Sequence, residues 1–142
     1  MGHIKIQDLS IGDWVIYNEK YYQILNIGTM TYEAGVGLLF RHYCTLTRGM
    51  DIQDDIDINE ISPIPITPEI LEKNGFVLTG YAIQHNEKNR YADEDTLIVM
   101  SKNEWYCTVN QGFLRDISMY ANSVHELQHI WRLAKIDKEI TL

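Results

Sequence analysis

Short apolar runs broken by turn residues fill the first half of the chain. Trp14-Val15-Ile16-Tyr17 and Tyr21-Tyr22-Gln23-Ile24-Leu25-Asn26-Ile27 flank the polar trio Asn18-Glu19-Lys20. β-Branched and aromatic runs around a short polar turn predict a hairpin. Further strands are predicted at residues 37–42, 43–47 and 56–61. In the last, Ile56 and Ile58 alternate with Asp57 and Asn59, a period of two with one wet face. Several short strands joined by tight turns predict a small curled sheet or an SH3-like barrel over residues 1–66.

Ser62-Pro63-Ile64-Pro65-Ile66 reads as the joint, because two alternate prolines stiffen an extended segment and cannot sit inside a helix. The clearest helix start follows. Thr67 is placed to cap it, Pro68 fits the first helical position, and Glu69 suits the positive end of the helix. Asn74-Gly75 should stop it, with Gly75 left-handed and Phe76 as the apolar anchor. Strands are then predicted at residues 77–84, 96–101 and 105–110, with Lys102-Asn103-Glu104 as a hairpin turn and 85–90 as a polar loop. Residues 116–120 form a candidate strand. A terminal helix over 124–135, capped by Asn122 or Ser123, precedes a tail in which Ile140 and Leu142 alternate and could add a last strand. The expected fold is α+β. An N-terminal SH3-like small β barrel (1–66) packs on a C-terminal antiparallel sheet (67–142) with a short helix and a terminal amphipathic helix.

Composition narrows the function classes. The 142 residues are 45% hydrophobic, enough for a true core. The net charge of −8 with no Lys/Arg cluster disfavours nucleic acid and anionic membrane surfaces. No apolar run reaches the ~20 residues of a membrane span, and the N-terminus lacks the basic and apolar regions of a signal peptide. Cys44 and Cys107 form no C-x-x-C pair and read as two buried thiols. A cytoplasmic protein is expected.

One string carries a named chemistry. His125-Glu126-Leu127-Gln128-His129 is H-E-x-x-H, which on a helix can supply two zinc ligands and a general base. Three features argue against that use. On a helical wheel Val124, Leu127, Ile130, Trp131, Leu133 and Ala134 are assigned to the core face. His125, Gln128, His129, Arg132 and Lys135 are assigned to the opposite, polar side. The extended form of the motif needs Gly at 132 and His at 135, where Arg132 and Lys135 stand. Glu139 is too close in sequence to come from a second packed helix, and His42 or His85 would be third ligands in an unusual order. The expectation is therefore no metal, with zinc on His125 and His129 and Glu126 as base the alternative.

Three segments carry a resemblance. They are Asp8-Leu9-Ser10-Ile11-Gly12-Asp13-Trp14-Val15, Ile64-Pro65-Ile66-Thr67-Pro68-Glu69-Ile70-Leu71-Glu72-Lys73-Asn74-Gly75-Phe76, and Val124-His125-Glu126-Leu127-Gln128-His129-Ile130-Trp131-Arg132-Leu133. Together they resemble uncharacterised small proteins of gut Bacteroidales genomes and their phages, whose C-terminal helix often reads V-H-Q-L-Q-N-L-Y. The resemblance implies that Gln and Asn are tolerated where Glu126 and His129 stand, and neither could serve as general base and zinc ligand. It carries no activity with it.

The remaining candidates are weaker. Ser118 and Cys107 lack a nucleophile signature. Gly35-Val36-Gly37 lacks the helix start and Lys of a phosphate loop. The acidic run from Asp51 to Asp57 lacks the Gly and final Glu of a calcium loop and reads as a solvated acidic loop. Tyr17, Tyr21, Tyr22, Tyr43, Tyr81, Tyr91, Trp105, Tyr106 and Tyr120 are numerous, and tile the cores more readily than they form a contact surface. The leading expectation is a non-enzymatic binding protein of phage or mobile-element type with a protein partner. A zinc hydrolase is the alternative. A third reading is a small-molecule binder that holds a nucleotide signal on Arg41, Arg90 or Arg115.

Overall fold

The computed structural model describes residues 4–35, 37–78, 89–101, 104–110 and 118–142. Among the described residues the fold is mostly β, with two antiparallel sheets and two short helices. It divides into two compact units, Met1–Ile64 and Pro65–Leu142.

The first unit is a curled antiparallel half-barrel. Its strands are β1 (Trp14–Tyr17), β2 (Lys20–Ala34), β3 (Gly37–Arg48), β4 (Asp51–Asp57) and the two-residue β5 (Ser62–Pro63), in the order β4-β3-β2-β1-β5. The first hairpin closes through Asn18 and Glu19, both at positive φ (47° and 62°). That turn matches the right-handed twist of the flanking strands. Inward positions supply the core: Val15, Tyr22, Ile24, Cys44, Leu46, Ile56, Ile58 and Ile61, closed by Ile4 and Leu9.

Three expectations for this unit change. Residues 37–42 and 43–47 are one strand, β3, not two. The acidic run expected as a loop is the edge strand β4; it pairs with β3 from Arg48↔Asp51 to Tyr43↔Asp57. Its carboxylates find partners across the ladder: Tyr22 Oη donates to Asp51 at 2.8 Å and Thr45 Oγ1 to Asp54 at 3.0 Å. The strand expected at 56–61 ends at Asp57, where a 3-10 turn, Ile58–Glu60, takes over. Asp57 and Glu60 form a reciprocal capping box there. Ile56 and Ile58 are still both buried, because the tighter turn brings Ile58 back to the core side.

The second unit holds α1 (Pro68–Lys73), β6 (Val77–Leu78), β7 (Asn89–Ala92), β8 (Thr96–Ser101), β9 (Glu104–Val109), β10 (Ser118–Tyr120) and α2 (Val124–Leu133). Its sheet order is β10-β9-β8-β7-β6. Along β9, Trp105, Cys107 and Val109 are buried and alternate with wetter residues, a strand with one core face. Trp105 Nε1–H donates to the Ile66 carbonyl at 3.1 Å, and the Trp105 backbone N–H donates to Asn122 Oδ1 at 2.8 Å. Within the predicted polar loop 85–90, residues 85–88 lie outside the described residues, and Asn89 and Arg90 open β7. Most of the strand predicted at 77–84, the turn residues 102 and 103, and residues 116 and 117 also lie outside them. The tail forms no strand among the described residues. The Asn74 side chain imitates one: it donates to the Thr141 carbonyl at 2.9 Å and accepts from the Thr141 N–H at 2.7 Å.

Helix α1 follows its sequence signals. Thr67 Oγ1 accepts from the Ile70 N–H, Pro68 opens the helix, and Gly75 ends it at φ 85°. The Phe76 N–H reaches the Leu71 carbonyl (3.0 Å) and Gly75 N–H the Glu72 carbonyl (3.1 Å), the two bonds of a Schellman end. Gly75→Val should therefore destabilise the protein by about 1 kcal/mol or more, read as a lower midpoint in equilibrium unfolding. An unchanged midpoint would mean that the left-handed residue does not limit stability.

Candidate functional site

Ser123 sets the H-E-x-x-H helix. As the N-cap it accepts from the Glu126 N–H, and its hydroxyl donates to Glu126 Oε1 at 2.7 Å. His125 Nδ1 lies 3.0 Å from the same hydroxyl. Ser123, His125 and Glu126 thus meet at one hydroxyl. In a relay the acid orients the ring nitrogen that faces away from the hydroxyl; here Glu126 binds the hydroxyl itself. Ser123 itself is buried.

The wheel assignment needs correction. His125 is only 5% exposed and Gln128 is buried with it, whereas Leu133 is 69% exposed. At ~100° per residue, Gln128 falls beside Val124 and Leu133 opposite it. The buried side of the helix therefore takes in Ile130, Leu127, Trp131, Val124 and Gln128, with His125 added to it in the first turn. The helix also ends before 135: Lys135 turns left-handed (φ 56°), and the Ile136 N–H bonds the Trp131 carbonyl at 2.8 Å. Helix α2 thus has the span Val124–Leu133 rather than 124–135.

The rings of His125 and His129 are edge-to-face, 5.9 Å apart between centroids. Among the described residues, no group of three or more His, Cys, Asp or Glu side chains could hold a metal ion. His42 sits on β3 with its Nδ1 2.9 Å from Thr29 Oγ1, and His85 lies outside the described residues. His129→Ala is expected to shift stability by only about 0.5–1 kcal/mol, the scale of a partly exposed side chain. Chelator should leave the melt of the unaltered protein unchanged. Strong and non-additive losses from both would establish a bound metal.

The other candidate chemistries resolve into structure. Both cysteines are free and buried. Burial pushes the Cys44 thiol up to about 11, helped by Asp57 and Glu60, and the Cys107 thiol up to about 12, helped by Asp93. Such thiols stay protonated and inert. Ser118 Oγ lies 2.9 Å from Thr108 Oγ1 on the neighbouring strand. Arg41 is spent on β4, reaching Asp55 at 2.7 Å and Asp57 at 3.4 Å. The Arg90 side chain and Arg115 lie outside the described residues. Tyr22, Tyr91 and Trp105 are core residues, while Tyr21 and Tyr120 are exposed; Tyr81 lies outside the described residues.

One partly buried ion cluster stands out. Lys138 Nζ meets Asp93 at 2.5 Å and Asp95 at 2.9 Å. Asp93 also accepts from the N–H groups of Asp95 and Thr96 and from Thr96 Oγ1, which fixes the β7–β8 turn. Burial alone would raise the Asp93 carboxyl; Lys138 and the two N–H donors outweigh it and hold the group below its ordinary range.

The feature with the shape of an interaction site is an arm that the residue-by-residue reading missed. Strand β1 pairs with β2 only as far as Gln23, and β4 pairs with β3 only as far as Tyr43. Beyond those points β2 and β3 continue as an unbroken two-stranded ladder from Thr29↔His42 to Ala34↔Gly37. Cross-strand pairs share a face. One face of the arm carries Met30, Tyr32 and Leu39, and the other carries Leu38 and Phe40. All five are exposed, Leu38 at 69% and Phe40 at 66%. Near the base Tyr43 lies across Gly28, where a methyl group would collide with its ring. The sequence signal was present: residues 26–40 hold one charged residue, Glu33, with Gly35 and Gly37 as the turn. Comparison with protein-family models, curated proteins and solved structures finds no match to the chain.

Proposed function

We propose that this is a non-enzymatic binding protein that docks a protein partner through the β2–β3 arm. The observation that supports it is the exposure of Met30, Tyr32, Leu38, Leu39 and Phe40 on a ladder with no third strand among the described residues. A two-stranded ribbon is marginal alone, and contiguous exposed apolar residues mark interaction surfaces. The sheet order, with a 3-10 turn between β4 and a fifth strand that returns to β1, supports an SH3-like reading of the first unit. On that reading the arm is an elongated inter-strand loop, a usual place for recognition. The resemblance to Bacteroidales and phage proteins supports a mobile-element protein acting on a host protein in the cytoplasm.

The test is a double variant, Leu38→Asp with Phe40→Asp. It should unfold within about 0.5 kcal/mol of the parent, as exposed positions do, while losing any protein that co-purifies with the parent from its native host. Retention of that protein by the variant would reject the arm as the docking surface.

A further inference from the structure

Two successive stretches of one sheet edge are built differently. Edge strand β4 is guarded. It carries Asp51, Asp54, Asp55 and Asp57, and it is broken by a bulge where Thr45 faces Asp54 and Asp55, the latter at φ 55°. Charges and bulges are the devices that keep an edge from pairing with another chain. The same edge of the sheet continues past β4 along residues 37–42 of β3, where both devices are absent. Register there is unbroken, and the only charge, Arg41, is neutralised by Asp55 and Asp57. This open stretch is roughly 20 Å long at the rise of a strand, room for about six residues.

Acidic groups bracket it. Asp55, Asp57 and Glu60 gather at its base, with the Asp55 carboxylate 65% exposed, and Glu33 lies opposite Leu38 near the tip. Between them lie Leu38 and Phe40. A second copy of this chain would bring the same acids and a charge of −8 against its own. A strand with an apolar centre and basic ends has the complementary pattern.

Resting on the docking role of the arm, we infer that residues 37–42 of β3 accept an extended segment of a basic partner as an added strand. Main-chain hydrogen bonds supply the register, and alternate apolar side chains lie over Leu38 and Phe40. Lys or Arg at the segment's ends meets the exposed Asp55 carboxylate at the base and Glu33 near the tip.

The probe is the capped peptide Lys-Lys-Val-Ile-Val-Lys-Lys added to the full chain, followed by amide hydrogen exchange. Slowed exchange is expected at residues 37–42, with binding weakened tenfold or more by Phe40→Asp and weakened by Asp55→Lys. Two control peptides should fail: one N-methylated at alternate amides, and one with Glu in place of Lys. Equal binding of either control, protection at another edge, or no binding of the parent peptide overturns the inference. So does a concentration-dependent dimer abolished by Phe40→Asp, which would assign the edge to a second copy. The docking role itself fails separately, through retention of the native partner by the Leu38→Asp/Phe40→Asp double variant.

Discussion

Trp131→Ala should destabilise the protein by about 3–5 kcal/mol, the largest effect expected of a single truncation here. Trp131 is 2% exposed and stacks on Phe76, with ring centroids 6.2 Å apart and planes 3° from parallel. Truncation would leave a large cavity between the helix end and the Gly75–Phe76 stop of α1. Among the described residues its Nε1–H finds no hydrogen-bond partner, so the penalty there reads packing. Trp131→Phe separates the terms. It keeps the stacked ring and removes an orphaned donor, so it should cost well under half of the alanine variant in equilibrium unfolding. Equal losses would mean that the indole is held by something other than packing.

Lys138→Met is the second large effect, about 3 kcal/mol at neutral pH, because it leaves two carboxylates without their cation in a mostly buried site. The pH dependence has a definite sign. Asp93 is held below its unfolded value, so its contribution is present above about pH 4 and is lost as pH falls through the folded value. For Lys138 burial by itself lowers the value, but the bonds to Asp93 and Asp95 win and raise it. Its contribution is therefore complete below about pH 10 and is lost as pH rises through the folded value. The gap between parent and variant should be widest between those limits and should narrow in acid. A penalty that stays constant down to pH 2 would show that Lys138 acts through its methylene packing instead.

What the sequence made legible was local. The first hairpin needs only a polar turn between two β-rich runs, and β1 falls on the four residues expected of it. Helix α1 needs a cap, a proline and a glycine within nine residues, and each does what its chemistry dictates. Where the outcome depended on a distant partner, local reading failed. Strand β4 has the composition of a solvated loop. It is a strand because β3 lies beside it and Tyr22, Arg41 and Thr45 receive its carboxylates. His125 looks like a surface residue until the end of the helix that carries it is covered. The arm was legible in principle, since a long β-prone run with one charge and a glycine turn is a hairpin signal. Its exposure was not, because that depends on where β1 and β4 stop pairing.

The docking role of the arm meets its most direct test in site-specific photo-crosslinking in the native host. A photoreactive side chain placed at Phe40 should give one discrete protein adduct. The same group at Met50, which is 99% exposed in the β3–β4 turn, should give none. Equal labelling from both positions, or an adduct from Met50 alone, would contradict the assignment of the β2–β3 arm as the surface that binds.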